Sequence, residues 1–302
     1  MENILHLKKN AVLYFKGELK MEIIIGKKSG FCAGVKHTVE TAEKLIKEEN
    51  DVYCLGEIVH NERVIKKLED MGMITKESID DIPENSKVII RAHGEPIQTY
   101  QKAEGKNIKI FDLTCPRITV IKKQTEPHII DSFIILIGKK KHPETKGVIS
   151  FCGENSLILE SEEDIKEVKE KFIKSKLKKI YIISQTTFSN QYFDILTEKI
   201  KQEIQEAEIT INKTICNATE KRQEEVKELS KQVDKMIIIG GKHSSNTKEL
   251  YKIAEENCKE SYLVQEVDDL KDFKYNDSDK IGIMAGASTP KEVVDEIIEY
   301  LK

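Results

Sequence analysis

The chain contains no tryptophan, only 6 prolines and 15 glycines, and aromatic residues fill 6% of its 302 positions. Scarce proline and glycine, with no Gly/Ser-rich tract, leave no tether, so the modules are expected to pack closely. Long apolar runs are missing too. No uninterrupted aliphatic or aromatic stretch exceeds the five residues of Phe133 to Ile137, against the roughly 20 that a membrane-spanning helix needs. The first twenty residues lack the apolar segment and small-residue cleavage site of an export signal. The reading is a cytoplasmic protein with no membrane partner. Nor does charge of one sign dominate: 49 Lys and Arg face 53 Asp and Glu, a net of −4, which argues against a nucleic-acid partner. Six cysteines without an export signal indicate a reducing compartment, where thiols are core residues, metal ligands or nucleophiles rather than disulfides.

What is present is an alternation. Short β-rich runs at 22–25, 52–59, 87–90, 108–112, 133–137, 179–183, 209–211, 236–239 and 280–284 are separated by charged segments with Leu, Ile and Val at three- and four-residue spacings. That pattern predicts an α/β fold with mostly parallel sheets. At roughly 100–200 residues per domain the length predicts two or three domains. A coarse repeat supports three. The runs ending near 25, 111 and 211 each lead through a short loop to a cysteine that opens a helical segment: Cys32, Cys115 and Cys216, spaced 83 and 101 residues apart. Each spacing is about one small α/β module. Since α/β proteins place ligands at the carboxyl ends of strands, three such modules around a pseudo-threefold axis would bring the thiols together.

Other runs end in polar groups. The 52–59 run leads to His60-Asn61, the 87–90 run to Arg91-Ala92-His93-Gly94, and the 133–137 run through three lysines to His142-Pro143-Glu144. The remaining runs lead to hydroxyl and amide groups at helix starts: Ser184-Gln185-Thr186-Thr187, Ser244-Ser245-Asn246-Thr247 and Ser288-Thr289-Pro290. Ser288 or Thr289 as N-cap with Pro290 at the first helical position is one expected start, and Ser245/Asn246 another. Free N–H groups at helix N-termini bind phosphate oxygens, so a small phosphorylated ligand is expected. Three isolated cysteines suit a cubane iron-sulfur cluster with one iron left without a cysteine. On pattern alone inert core thiols are the larger alternative and zinc a lesser one, since neither the local Cys-x-x-Cys pairs of zinc sites nor the close spacing of ferredoxins occurs. Cys54, Cys152 and Cys258 read as structural, and His6, His37, His128 and His243 carry no special assignment. Lys139 to Lys141 reads as a solvated turn.

Taken together, Gly30-Phe31-Cys32-Ala33-Gly34-Val35, Ile58-Val59-His60-Asn61, Arg91-Ala92-His93-Gly94, Asp112-Leu113-Thr114-Cys115-Pro116, Lys140-Lys141-His142-Pro143-Glu144, Gln185-Thr186-Thr187, Thr214-Ile215-Cys216-Asn217-Ala218-Thr219 with Arg222-Gln223, Ser244-Ser245-Asn246-Thr247 and Ala287-Ser288-Thr289-Pro290 are collinear. They resemble the 4-hydroxy-3-methylbut-2-enyl diphosphate reductases, the iron-sulfur enzymes of the last step of the methylerythritol phosphate route to isoprenoids, over about residues 21–302. The resemblance implies three similar α/β modules in a pseudo-threefold (trefoil) arrangement, at 21–114, 115–214 and 215–302, around one central 4Fe-4S cluster. Cys32, Cys115 and Cys216 would hold that cluster, leaving one iron not bound by cysteine. It implies a two-electron removal of the allylic hydroxyl to give isopentenyl and dimethylallyl diphosphate, with a ferredoxin or flavodoxin as electron donor. Glu144 would be the proton donor and Thr186 its relay. The substrate would be held by His60, His93, His142, Thr186, Ser244, Ser245, Asn246 and Ser288, with Thr219 a weaker candidate for the wall. Residues 1–20 precede the family-like start at Met21 and are expected to be a dispensable extension. Lys122 stands where family members often carry His, and Glu126-Pro127 is expected to cut its helix short. A quinolinate synthase-like dehydratase, an electron carrier and a zinc hydrolase are the rival readings. The His-Pro-Glu and Ser-Ser-Asn-Thr motifs oppose the first, and a carrier normally closes its cluster with four protein ligands.

Overall fold

The structure, a computed structural model, describes residues 21–302. The expected dispensable extension at 1–20 lies outside the described residues. The described chain begins with β1 (Glu22–Ile25) and α1 (Ala33–Glu48), then builds a first sheet from β2 (Val52–Leu55), β3 (Ile74–Lys76), β4 (Lys87–Ile90) and β5 (Lys109–Asp112), with α2 (Glu62–Asp70) and α3 (Ile97–Gly105) as crossovers. After α4 (Pro116–Thr125) comes a second sheet of β6 (Ser132–Ile137), β7 (Ser156–Leu159), β8 (Lys179–Ser184) and β9 (Glu208–Ile211), with α5 (Pro143–Ile149), α6 (Ile165–Ser175) and α7 (Asn190–Glu203). Then α8 (Asn217–Ser230) leads to β10 (Lys235–Ile239), α9 (Ser245–Asn257), β11 (Glu260–Val264), β12 (Lys280–Ala285) and α10 (Lys291–Leu301).

The three sheets have one topology. Their orders are β3-β2-β4-β5, β7-β6-β8-β9 and β11-β10-β12-β1, and every pairing is parallel. In each module the second strand lies outside the first, the third inside it, and a fourth completes the far edge. In the third sheet that place is taken by β1, whose Glu22 to Ile25 register with Lys280 to Ile283 of β12. The sequence places 22–25 in the first module, at 21–114. It belongs instead to the third sheet, because β12 would otherwise expose a row of unpaired backbone groups.

Internal contacts divide the chain into two compact units. One holds the third sheet and comprises residues 21–32, His60–Glu62 and Asn217–Lys302; the other holds the first two sheets and comprises Ala33–Val59 and Arg63–Cys216. The central strands are apolar along most of their length. All six residues of β6 are buried, as both faces of a parallel sheet covered by helices require. Phe133, Ile135 and Ile137 pack with Val168 and Phe172 of α6 and Phe193 and Leu196 of α7, while Ile134 and Leu136 pack with Ile118 and Ile121 of α4. On the third sheet Ile237, Ile281 and Ile283 pack under Val293, Ile297 and Leu301 of α10, and Met236, Ile238 and Met284 under Val226 and Leu250.

Three strands were not expected from sequence: β3, β7 and β11. Each is the outer edge strand of its sheet. β2 stops at Leu55 rather than 59 because Gly56 turns the chain at φ +62°, and a methyl group there would collide with the Arg91 guanidinium. Helix α4 ends at Thr125 and a 3-10 turn takes over at Glu126, the stop that Pro127 imposes. Among the described residues no helix is long and apolar enough to cross a membrane.

Candidate active site

The order second-first-third-fourth makes the chain reverse direction across each sheet between the first and third strands, where open α/β sheets bind ligands. The residues singled out by sequence follow these strands. His60 follows β2 and His93 follows β4; His142 and Glu144 follow β6 and Thr186 follows β8; Ser244 to Asn246 follow β10 and Ser288 follows β12. A candidate cysteine follows each fourth strand, and its backbone N–H repeats one bond in all three modules. Cys115 donates to Ala92 O and Cys216 to Thr186 O, both at 2.9 Å, and Cys32 to Ala287 O at 3.1 Å. Each acceptor lies in the loop after its module's third strand. The six free thiols divide evenly: Cys32, Cys115 and Cys216 are half-buried, whereas Cys54, Cys152 and Cys258 are buried. Burial pushes the Cys54 and Cys152 thiols up to about 12, which makes them inert.

Within the two-sheet unit the structure brings Glu144 and Thr186 together. Glu144 is 2% exposed; its Oε1 accepts the Thr186 backbone N–H at 2.6 Å and its Oε2 accepts the Thr186 hydroxyl at 2.7 Å. Burial pushes its carboxyl up to about 7, although both Thr186 bonds pull the other way. Glu144 stands in the first turn of α5 with Pro143 at the first helical position. The N-cap is His142, whose Nδ1 accepts the Glu144 N–H at 3.1 Å. The His93 ring meets the His142 ring edge-on, with centroids 5.4 Å apart.

These loops leave no slack. A methyl on Gly138 would collide with Thr145 and Gln185, and the Gln185 Oε1 accepts the Lys139 N–H at 3.0 Å. The Thr214 hydroxyl donates to Ser184 O at 2.6 Å and accepts the Ser184 N–H at 2.8 Å, fixing the turn before Cys216. The pair Arg91 and Glu95, joined at 2.7 Å and largely buried, brackets His93.

In the third-sheet unit, Ser244 caps α9 and accepts the Thr247 N–H at 3.4 Å, one residue earlier than the expected start at Ser245/Asn246. Helix α10 begins at Lys291 with Pro290 as its cap, again displaced from the expected Ser288 or Thr289. Those hydroxyls are engaged elsewhere: Ser288 donates to His60 O at 3.1 Å and Thr289 to Ile239 O at 3.0 Å. The same His60 carbonyl leaves no room for a side chain at Gly241. Ser245 and Asn246 are buried, and neither side-chain atom of the Asn246 amide has a hydrogen-bond partner among the described residues. A buried amide without partners is costly, so this one is suited to a polar ligand. Thr219 is buried in the first turn of α8.

The structure also places the other residues singled out by sequence. His37 and His243 are exposed, His128 stacks on Tyr181 at 3.8 Å, and Lys140 pairs with Asp164. Lys122 is half-buried with its Nζ 3.7 Å from the Phe151 ring centroid, and burial holds its ammonium below the usual lysine range. Sequence reasoning missed Glu95, whose partner Arg91 stands four residues earlier, and missed Glu225 and the contacts made by Thr214 and Arg222, whose partners lie in other segments.

Three comparisons with known proteins bear on this geometry. Residues 23–302 match the family described as LytB protein. A relative from Caldanaerobacter subterraneus subsp. tengcongensis, named 4-hydroxy-3-methylbut-2-enyl diphosphate reductase, is 38% identical over 287 residues, covering 93% of this chain and 97% of its own. The solved E-1-hydroxy-2-methyl-but-2-enyl-4-diphosphate reductase from Plasmodium falciparum superposes with a TM-score of 0.83 at 29% identity, covering 92% of this chain and 87% of that one. A second solved structure, of (E)-4-hydroxy-3-methyl-but-2-enyl diphosphate reductase, described as the terminal enzyme of the non-mevalonate pathway, superposes with a TM-score of 0.67 at 33% identity and covers 92% and 98%.

Proposed function

This chain belongs to the LytB protein family, and on that premise we propose that it is an oxidoreductase that reduces 4-hydroxy-3-methylbut-2-enyl diphosphate. Two electrons and two protons convert the allylic alcohol to isopentenyl and dimethylallyl diphosphate, and the hydroxyl leaves as water. The residues present fit a 4Fe-4S cluster with one iron not bound by cysteine: three single half-buried thiols, Cys32, Cys115 and Cys216, at the same place in three modules. When bound, that group supplies the electrons, received from a ferredoxin or flavodoxin, and Lewis acidity toward the departing oxygen.

The chain's own residues supply the rest. Glu144 delivers a proton to the leaving hydroxyl, and the Thr186 hydroxyl, bonded to Glu144 Oε2, relays it. The diphosphate is held by His60, His93 and His142 with Ser244, Ser245, Asn246 and Ser288; the buried, unpartnered Asn246 amide is the group most in need of it.

The single observation that carries the reading is Glu144. A carboxyl 2% exposed, hydrogen-bonded through both oxygens and titrating at about 7, is a proton donor near neutral pH. The test is turnover of the diphosphate by anaerobically purified, cluster-reconstituted protein with a chemical reductant. Glu144→Gln should keep the cluster absorbance and lose roughly 10²–10⁴-fold in kcat. No turnover by the wild-type protein would overturn the function. Undiminished turnover by the variant would overturn the acid.

A further inference from the structure

Two side chains one turn apart on α8 reach the loop that presents Cys32. The Glu225 carboxylate accepts the Lys27 N–H on Oε1 at 2.6 Å and the Lys28 N–H on Oε2 at 2.8 Å. Arg222, 4% exposed, donates to the Gly30 carbonyl at 2.7 Å and to Ala218 O of its own helix at 3.1 Å. The loop is held from its other side by the end of β12. The Ser29 hydroxyl accepts the Ala285 N–H at 3.1 Å, the Gly30 N–H donates to Ala285 O at 3.4 Å, and the Cys32 N–H donates to Ala287 O at 3.1 Å. At Gly26 a methyl would strike the Met284 sulfur, with the Glu225 carboxyl close behind. These bonds oppose the backbone entropy of an irregular loop, roughly 1–2 kcal/mol per residue.

We propose that Arg222 and Glu225 are positioning residues for the Cys32 thiol: α8 acts as a strut that fixes the 26–32 loop so that this cysteine is presented for iron. A single carboxylate spanning two adjacent N–H groups, beside a buried guanidinium on the next carbonyl but one, determines the path of the loop rather than merely covering it. The strut grows from the third ligand's own segment, since α8 starts at the residue after Cys216. The proposal rests on the reading of Cys32 as a cluster ligand, and the test separates the two.

The full chain, wild type and the variants Glu225→Gln, Arg222→Met and Arg222→Lys, would be prepared anaerobically both without iron and reconstituted. Two quantities are read: the rate of iron loss to a chelator from the reconstituted protein, and the alkylation rates of Cys32 and Cys115 in the iron-free protein, by peptide mass spectrometry. Glu225→Gln replaces one acceptor oxygen with a donor, and Arg222→Met removes the guanidinium. Each should release iron about tenfold faster, the scale set by losing one hydrogen bond to a charged group. The Cys32 alkylation rate should change by a comparable factor while that of Cys115 stays put, and Arg222→Lys should recover part of both effects. If wild-type protein assembles no cluster, the ligand reading fails and takes the strut with it. If wild-type protein assembles one and the variants hold iron equally well, with Cys32 labelling unchanged, the strut alone is overturned. Equal changes at Cys32 and Cys115, tracking a lowered Tm, overturn it too, because they report general loosening.

Discussion

At the scale of single residues, protonation is the issue. Glu144 titrates at about 7 in the folded chain against 4.5 for the free side chain, because burial penalises its charge more than two Thr186 bonds favour it. The native state therefore binds the extra proton between those values, and stability falls as pH rises from about 4.5 to about 7, by about 3 kcal/mol in total. Urea unfolding across that window should show this slope, and Glu144→Gln should flatten it. Activity should fall above about pH 7, as the acid loses its proton. The Thr186 hydroxyl bonds the carboxylate and lowers its pKa, so Thr186→Val should move the falling limb to higher pH while reducing kcat; a limb that moves down would contradict the assigned hydrogen bond. The cysteines follow the same logic. Three thiols were legible as a set from their spacing, yet sequence had no means of showing that Cys54 and Cys152 are pushed to about 12 by burial.

At the scale of elements, short helices depend on their first turns. α5 has only seven residues, too few to persist without its cap and packing. His142→Ala removes the acceptor for the Glu144 N–H and should cost about 1 kcal/mol of stability. The same change should lower kcat by loosening the acid, beyond any loss of diphosphate affinity, and steady-state kinetics separate the two. Gly138→Ala pushes a methyl into Thr145 and Gln185; an overpacked core position costs about 1–3 kcal/mol, readable as a lowered Tm. Amphipathic spacing and the Pro127 stop made most helices and the end of α4 readable in advance. The starts of α9 and α10 were displaced by one to two residues: Ser244 takes the cap of α9, and before α10 the hydroxyls of Ser288 and Thr289 bond to His60 O and Ile239 O instead. The edge strands β3, β7 and β11 were unreadable for another reason: half-exposed edge strands need no uniform apolar run.

At the scale of the molecule, one module is written three times and the third copy borrows its last strand from the front of the chain. That borrowing couples β1 to the core beneath α10. Ile283→Ala, at a fully buried site in that core, should cost about 2–5 kcal/mol. In hydrogen exchange the amides of β1 should lose protection together with those of β10 and β12. Protection of β1 that follows β2 instead would contradict the strand order.

Sequence by itself determined the class of fold, the alternation of strands and helices, and the kinds of chemical group delivered at strand ends. These are local matters of period, turn residues and residue type, which a chain carries wherever it folds. Tertiary structure alone decided the rest. It assigned β1 to the third sheet, because an edge pairs with whatever strand is free to satisfy its backbone. It placed Thr186 on both oxygens of Glu144, made His142 the cap of α5, and tied Arg222 and Glu225 to a loop almost two hundred residues away. Such partners leave no periodic trace, since a hydrogen bond depends on where two groups meet in space and not on how far apart they stand in the chain.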